Sequence, residues 1–549
     1  MPVVELSYSR LRRLVGGSSK KQIADLLPFL GLDVESEDGD LVRVEYSPNR
    51  PDYSTDFGIA LGMQGLLGIK TGAVRLRVRR SERFHISVKP GVSRIRPFVT
   101  GVAAKNGRID DKTIRQLMAM QEDLHFGLGR RRERSSIGIH DLDKMTFPLT
   151  YSTTGRDHRF VPLNSEKELS ISQILESTGI GEKYGHILAD SPKMPVITDS
   201  KNEIISFPPI INAAVTAMTV KTKNLFVEVT GIDRGDAENM LSVVAVILQS
   251  AGFTLEQVKI SGSKNSTPKL GSREMRLDPA LVNQVLGLNL SSSKIISCLK
   301  KSRLDASPKG GGSILCVIPP HRFDLFGPMD LVEEAALGYG IQNLKPVLSP
   351  SQAIGQASPV SRNLRYLSQV MVGLGYLEVL NSSLTSKRVL YNMTNRGEAS
   401  KTISVREPKS QEHAILRDSI LPGLLENLSR NIHEPYPQKI FETGSVFLEG
   451  SSIKEGINLS GVSAHQDANF TETKSVLQSG LKIGFGLKVQ TRATTHPAFE
   501  GGRCASVLAD GRSIGVVGEI SSRTVEGYKI RVPVAGFEIS LSDSILKPA

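Results

Sequence analysis

The strongest limit on how this chain folds is set by two polar, turn-rich stretches. SGSKNSTPK at 261–269 and a run with two prolines at 346–352 are built from residues that stop helices and strands. At roughly 100–200 residues per domain, a chain of 549 residues needs several cores in any case. With the end of a basic, strand-like stretch near residue 88, these breaks give regions 1–88, 89–263, 266–345 and 353–549. Apolar residues make up 39 %, enough to fill such cores, which excludes a disordered chain, a collagen-like fibre and a small disulfide scaffold. Fifty glycines and 28 prolines predict many short elements.

The first region predicts a helix over Lys20–Leu30 closed by Gly31, and then strand, turn and strand in VESEDGDLVRVEY. Ser54, Thr55 or Asp56 caps a helix through Ile59 to Leu67, and VRLRVRRSERFHISV follows as a strand. The second region predicts a strand in FVTGVAAKNG, a helix around Lys112–Leu124, an apolar strand over Asn224–Thr230 and a helix from Asp236 to Gly252. The third reads as two short helices on a small sheet, with a last helix near Met329. The fourth opens with a helix over Val360–Leu374 and continues as strands in KIFETGSVF, INLSGVSAHQ, RCASVLADGRSIGVVGEI and PVAGFEISL. The expected class is α+β, the last region a mixed sheet with helices on one side.

The formal charge of +12 favours a polyanionic partner such as nucleic acid. It is concentrated. Nine basic residues and one acid lie between Lys70 and Arg96, among them Arg75, Arg77 and Arg79, and a second cluster is Arg130, Arg131, Arg132 and Arg134. Guanidinium forks suit phosphate; a solvated strand face or salt bridges between domains account for the same residues. Three cysteines without a CxxC pair argue against zinc and a disulfide framework and fit a reducing cytosol. The N-terminus lacks a signal peptide's apolar core, and the longest apolar stretch, Met240–Leu248, is too short to span a bilayer. A cytoplasmic protein with no membrane partner is expected.

The sharpest local signal is IPPHRFDLFGPMDLVEEAALGYG. A helix starting at Pro328 sets Asp330, Glu333 and Glu334 at i, i+3 and i+4 on one face, and Asp324, just before, reaches the same point. Four converging carboxylates repel unless a cation or basic groups compensate, and oxygen-only ligands favour Mg²⁺ or Ca²⁺. The plainer reading is that first-turn acids stabilise the helix dipole. His140, beside Asp141, is either an acid-base group or part of a polar turn closing the strand IGI. Glu228 lies in an apolar strand, either on an exposed face, which the pattern favours, or lining a pocket; Asn212 precedes it in PPIINAAVT. There is no GxxxxGK[ST], GxSxG or HExxH.

Four stretches spread over the chain together resemble the beta-subunit family of phenylalanyl-tRNA synthetases, archaeal/eukaryotic type: YSPNRPDYSTDFGIALGMQGLLG; GRRRERSSIGIHDLDK with PPIIN and NLFVEVTG; PPHRFDLFGPMDLVEEAALGYG; and LRDSILPGLLENLSRN with QKIFETGSVF. The resemblance implies an α₂β₂ enzyme that joins phenylalanine to its tRNA with ATP. The alpha subunit binds ATP and phenylalanine and carries the synthetic site. The implied regions are an N-terminal tRNA-contacting domain at 1–88, a B3/B4-type editing domain at 89–263, a B5 domain at 266–345, and a catalytically inactive class II synthetase-like core at 353–549. This sequence agrees on the last point, because KIFETGSVF has Glu442 but no arginine two residues before it.

The family's B5 Mg²⁺ ligands fall on Asp324, Asp330, Glu333 and Glu334. Its editing domain hydrolyses tyrosine wrongly joined to the tRNA, and His140, Asn212 and Glu228 are the polar groups expected near that pocket. Arg75, Arg77, Arg79, Arg130, Arg131 and Arg132 are the expected tRNA contacts. The chain ends directly after a core strand, leaving no room for the anticodon-binding fold of the bacterial form. Two other readings stay open: a basic RNA-binding scaffold, and a free-standing deacylase without an alpha partner. An obligate subunit differs from both in exposing apolar surface on 353–549.

Overall fold

The computed structural model describes residues 2–261, 266–348, 354–398 and 402–541. The chain divides into two compact units, 1–348 and 349–549. The SGSKNSTPK and 346–352 stretches lie partly outside the described residues. Thr267, at the far end of the first, is not a free linker residue. Its hydroxyl donates to the Gly101 carbonyl (2.8 Å) and accepts from the Gly101 N–H (3.0 Å).

The first unit begins with an antiparallel sheet in which Leu41–Glu45 runs between Val3–Ser7 and Asp33–Asp38. The predicted helix over Lys20–Leu30 forms only as Lys20–Leu26 and then tightens to a 3₁₀ turn, Leu27–Leu30. Pro28 is the cause, since it has no N–H to continue the α ladder. Thr55 is the cap of the next helix, Asp56–Leu66, its hydroxyl accepting from the Gly58 N–H at 3.3 Å. The basic stretch is not one strand; only Val78–Arg79 and His85–Val88 pair, each with a parallel neighbour.

Two sheets follow, packed face to face. In one, Leu225–Gly231 lies between Phe98–Lys105 and Ser135–Asp141, with Thr254–Gln257 and Val78–Arg79 beyond. The other runs Ile211–Asn212, Ile204–Phe207, Met194–Thr198, Leu149–Thr154, His85–Val88, Lys259–Ile260. Val99, Ala103 and Phe226 from the first interlock with Ile86, Tyr151 and Ile205 from the second. The first sheet's other face is covered by helices Asp111–Phe126 and Arg234–Ser250. The second of these carries the long apolar stretch, and Met240 to Leu248 are all buried, as the sequence predicts. Next comes the small sheet Arg273–Leu277, Ile314–Ile318, Asp305–Pro308 with helices Pro279–Leu286, Ser292–Lys301 and Pro328–Tyr339.

In the second unit a seven-stranded sheet is antiparallel except at one edge, where Leu377–Glu378 runs parallel to Gln438–Glu449. The expected helices on one side are instead helices on both. Leu367, Met371, Leu477 and Leu481 pack on the face bearing Phe441 and Phe537. Leu421–Arg430 covers the opposite face, against Ile440 and Val462. Strands whose adjacent residues are both apolar are buried on both sides, and the sequence alternation does not say by what. The whole is mixed α+β and multidomain. Among the described residues no helix is long and apolar enough to cross a membrane.

Candidate functional site

The strand Leu225–Gly231 is central, so every residue on it is flanked on both sides. Side chains alternate: Phe226, Glu228 and Thr230 face the second sheet, while Val227 and Val229 face the helices. Glu228 pairs with Gly101 on one side and Gly138 on the other, and Phe226 pairs with His140. The exposed-face reading of Glu228 is therefore wrong. Glu228 is 1 % exposed and His140 0 %.

Around Glu228 the structure gathers the three residues expected together. Its Oε1 accepts from the Ser206 hydroxyl (2.9 Å), which also lies 3.2 Å from Asn212 Oδ1. One hydroxyl proton cannot serve both, and turning over the Asn212 amide lets its NH₂ donate to Ser206 and satisfies each contact. His140 Nδ1 is 2.8 Å from the Thr216 hydroxyl, and its Nε2 is 4.0 Å from Glu228 Oε1. His140 Nε2 and Glu228 Oε2 are both buried with no hydrogen-bond partner. Leaving such an atom unpaired costs about 1–3 kcal/mol. Gly138 packs closely against them: a Cβ there would lie 2.5 Å from Glu228 Oε1, 2.7 Å from His140 Nε2 and 3.0 Å from Asn212 Oδ1. A buried carboxylate oxygen and imidazole nitrogen thus lie unpaired beside a position where only glycine fits. Ser206, Thr216 and Gly138 escaped the sequence reading. Only the strand pairing of Gly138 with Glu228 marks them.

Arg96, counted with the basic tract, is a buried strut on the same sheet face. It donates to the Thr230 hydroxyl (3.1 Å) and carbonyl (3.0 Å), Ser136 (3.3 Å) and the Glu133 carbonyl (3.1 Å). Burial pulls its pKa down to about 10, against the opposing pull of Tyr151 and Glu228.

Arg130, Arg131 and Arg132 all have positive φ, a left-handed turn for which side-chain-bearing residues carry a cost. Arg132 is not a surface contact. It is 6 % exposed, donates to the Pro209 and Ile210 carbonyls (3.3 and 2.8 Å), pairs with Glu122 (2.7 Å) and stacks on Tyr184. A hydrogen bond from His125 and the charge of Arg132 hold Glu122 down at about 2 although burial opposes this. Arg130 and Arg131 are exposed, as are Arg75, Arg77 and Arg79; Arg75 pairs with Asp305 at 2.9 Å.

The four carboxylates of the Pro328 helix do not converge as a cage. Arg322, fully buried, grips Asp324 through two nitrogens (2.8 and 2.9 Å) and also pairs with Glu334. Asp330 is spent on the helix start, where its Oδ2 accepts from the Phe326 and Gly327 N–H groups (2.6 and 2.8 Å). Among the described residues no three Asp, Glu, His or Cys side chains group as a metal site. Glu333 is left exposed, its carboxyl raised by partial burial and by the charges of Glu334, Asp330 and Asp324, with Arg322 in opposition. With Asp324, Glu334 and Asp330 engaged in this way, the donor set does not fit four inner metal ligands. Beside it, Arg50 pairs with Asp52 (2.8 Å); burial works against the Asp52 charge, and Arg50 more than offsets it, leaving the carboxyl at about 2.

Comparison with known proteins identifies the frame that holds these residues. The B3/4 domain family matches residues 82–241, the tRNA synthetase B5 domain 275–341, and the phenylalanyl tRNA synthetase beta chain CLM domain 345–541. The phenylalanine–tRNA ligase beta subunit of Archaeoglobus fulgidus is 38 % identical over 99 % of this chain and 98 % of its own. This chain belongs to the phenylalanine–tRNA ligase beta-subunit family. The counterpart in Methanosarcina acetivorans is 34 % identical over the full length of both. A crystallised N-terminal fragment of the phenylalanyl-tRNA synthetase beta subunit from Pyrococcus horikoshii superposes with a TM-score of 0.58 at 28 % identity, covering 62 % of this chain and all of the fragment. As a member of this family the chain is a subunit of an aminoacyl-tRNA synthetase, a ligase of protein biosynthesis.

Proposed function

We propose that this chain works in the cytoplasm with an alpha subunit, as α₂β₂, in ATP-dependent joining of phenylalanine to its tRNA, and that the Glu228 cluster removes tyrosine joined by mistake. The alpha subunit binds ATP and phenylalanine. The reading takes 1–88 as tRNA-contacting, 89–263 as editing, 266–345 as B5 and 353–549 as an inactive class II-like core. The observation that carries the editing role is the pair of unpartnered buried atoms, His140 Nε2 and Glu228 Oε2, in the cluster packed against Gly138. A tyrosyl phenol placed there donates its proton to Glu228 Oε2, and its oxygen lies beside the imidazole. A phenylalanyl ring brings no such group and would leave both atoms unpaired, a penalty binding alone can turn into strong selection. Water then attacks the ester carbonyl carbon, the ester C–O bond breaks, and the tRNA ribose oxygen leaves with a proton.

Other residues support the remaining parts. Glu442, fully buried, lies 2.7 Å from Arg417 as an ion pair and accepts from Asn381 at 2.7 Å, a structural role consistent with a core that does not activate amino acid. Leu377 and Leu380, 67 % and 86 % exposed, offer the second unit apolar surface for alpha. Mg²⁺ would be held by Glu333 with water between it and the other carboxylates, supplying positive charge to a region where Arg322 offsets only part of the negative. Arg75, Arg77, Arg79, Arg130 and Arg131, all exposed, are the candidates for RNA phosphates. Three buried free cysteines suit a reducing compartment. The test is hydrolysis of tyrosyl-tRNA for phenylalanine by the purified complex. Release of tyrosine with phenylalanyl-tRNA spared supports the proposal; equal rates for both, or none, refute the editing role.

A further inference from the structure

In the second unit a cavity of about 120 Å³ opens where the short antiparallel pair Leu384–Thr385 and Ile415–Leu416 adjoins the helix Leu421–Arg430. Its lining includes Arg417, only 4 % exposed. Arg417 donates through Nε to the Ser445 carbonyl (2.9 Å) and pairs with Glu442 (2.7 Å), yet its Nη1 and Glu442 Oε1 make no directed hydrogen bond. That buried pair balances its own charge. One stretch of the lining is rich in donors. The Ser382 and Ser386 hydroxyls accept from the Leu384 and Val389 N–H groups (3.1 and 3.2 Å), and their own protons have no acceptor among the described residues. Arg388 follows, exposed and without a carboxylate partner among the described residues; its Nη1 lies 3.3 Å from Met393 Sδ. A separate stretch carries acid. Glu412 is exposed and has no basic partner among the described residues, whereas Glu426 is taken by Arg430 at 2.9 Å. Leu390 and Pro422, both buried, add apolar surface.

Spare charges of both signs decide what such a cavity can hold. A phosphate or other plain anion would suit Arg388 and the hydroxyls but would also meet Glu412 and Glu426. A plain cation would suit Glu412 but would meet Arg388 and Arg417. A molecule with a carboxylate and an ammonium on one carbon leaves neither sign unpaired. We propose that this cavity binds a free α-amino acid with an aliphatic side chain. Its carboxylate goes to Arg388 and the Ser382 and Ser386 hydroxyls, its ammonium to Glu412, and its side chain to Leu390 and Pro422. The site is separate from the Glu228 cluster and does not rest on the editing role.

The test uses the complex with alpha and radiolabelled L-leucine, its binding read by equilibrium dialysis. Isocaproate, which lacks the ammonium, and isoamylamine, which lacks the carboxylate, serve as competitors. The wild-type complex is expected to bind leucine saturably, with neither competitor displacing it at equal concentration. Arg388→Gln and Glu412→Gln should each weaken binding about tenfold through loss of one charge-assisted contact. Both side chains are exposed, so melting should not change. Arg512→Gln, which removes an exposed charge elsewhere on the second unit, should bind leucine as the wild type does. No saturable binding by the wild type overturns the proposal. So does equal binding by the wild type and both cavity variants, which would place the leucine on alpha or at the Glu228 cluster. Displacement by inorganic phosphate or isocaproate as effective as by unlabelled leucine would mean a simple anion site and overturns it as well.

Discussion

Gly138→Ala is the most searching single substitution. The new methyl would sit 2.5 Å from Glu228 Oε1 and 2.7 Å from His140 Nε2, well inside the ~3.5 Å at which non-bonded atoms cease to repel. Neither neighbour has solvent to swing into, because both are essentially fully buried. The strain goes either into moving Glu228 off Ser206 or into the strand pair that holds Gly138 beside it. Overpacking of this kind costs about 1–3 kcal/mol, equivalent to a fall of several degrees in the first unit's melting temperature at roughly 2–4 °C per kcal/mol. The functional cost is larger. A displacement near 1 Å at a reacting site costs about a hundredfold in rate. Deacylation of tyrosyl-tRNA by the complex should drop by about that factor, while phenylalanine charging, a reaction of alpha, is unchanged. Wild-type deacylation and wild-type melting in the Gly138→Ala complex would refute the idea that close packing at Gly138 sets the position of the Glu228 cluster.

Arg132→Met should destabilise the first unit by about 1–3 kcal/mol, since two buried carbonyls lose their donor and the ion pair with half-exposed Glu122 adds little, and urea unfolding reads this; Arg130→Ala and Arg131→Ala should lie within about 0.5 kcal/mol of wild type. Glu333→Gln should lower the Mg²⁺ content of the purified complex, measured by elemental analysis, with little effect on melting. Glu334→Gln should lower the melting temperature, because Arg322 loses a buried charge partner. Glu122 contributes an acid-dependent term. Its folded pKa is depressed, so its stabilisation is fully present above the unfolded value of about 4.3 and fades as pH falls toward its folded value of about 2. Solvent screening keeps it modest, the carboxylate being 55 % exposed. The unfolding midpoints of wild type and Glu122→Gln should differ at pH 5 and draw closer at pH 3.

Elements with their own local signal were legible in the sequence. A cap among Ser54, Thr55 and Asp56, which the structure places at Thr55, the buried helix around Met240–Leu248 and the Pro328 start follow from local rules that packing does not override. Local rules also explain the misses. A strand with apolar residues on either side of Glu228 looks half-exposed until a second sheet covers it. Arg96 and Arg132 look like their exposed neighbours, because burial of an arginine depends on carbonyls and hydroxyls distant in sequence: Thr230 for one, Pro209 and Ile210 for the other. The carboxylate spacing on the Pro328 helix is legible, but no spacing rule marks Arg322, two residues before Asp324, as the charge that compensates Asp324 and Glu334. His140, Asn212 and Glu228 were named through a family resemblance. Their meeting around Ser206 is a property of sheet pairing that composition and periodicity do not contain.

The most direct measurement is tyrosine charging of phenylalanine tRNA by the reconstituted complex, wild type against Glu228→Gln, with phenylalanine charging as the control. The variant should accumulate tyrosyl-tRNA that the wild type does not, at an unchanged rate of phenylalanine charging. Equal tyrosyl-tRNA levels in the two would contradict the assignment of the Glu228 cluster as the editing site.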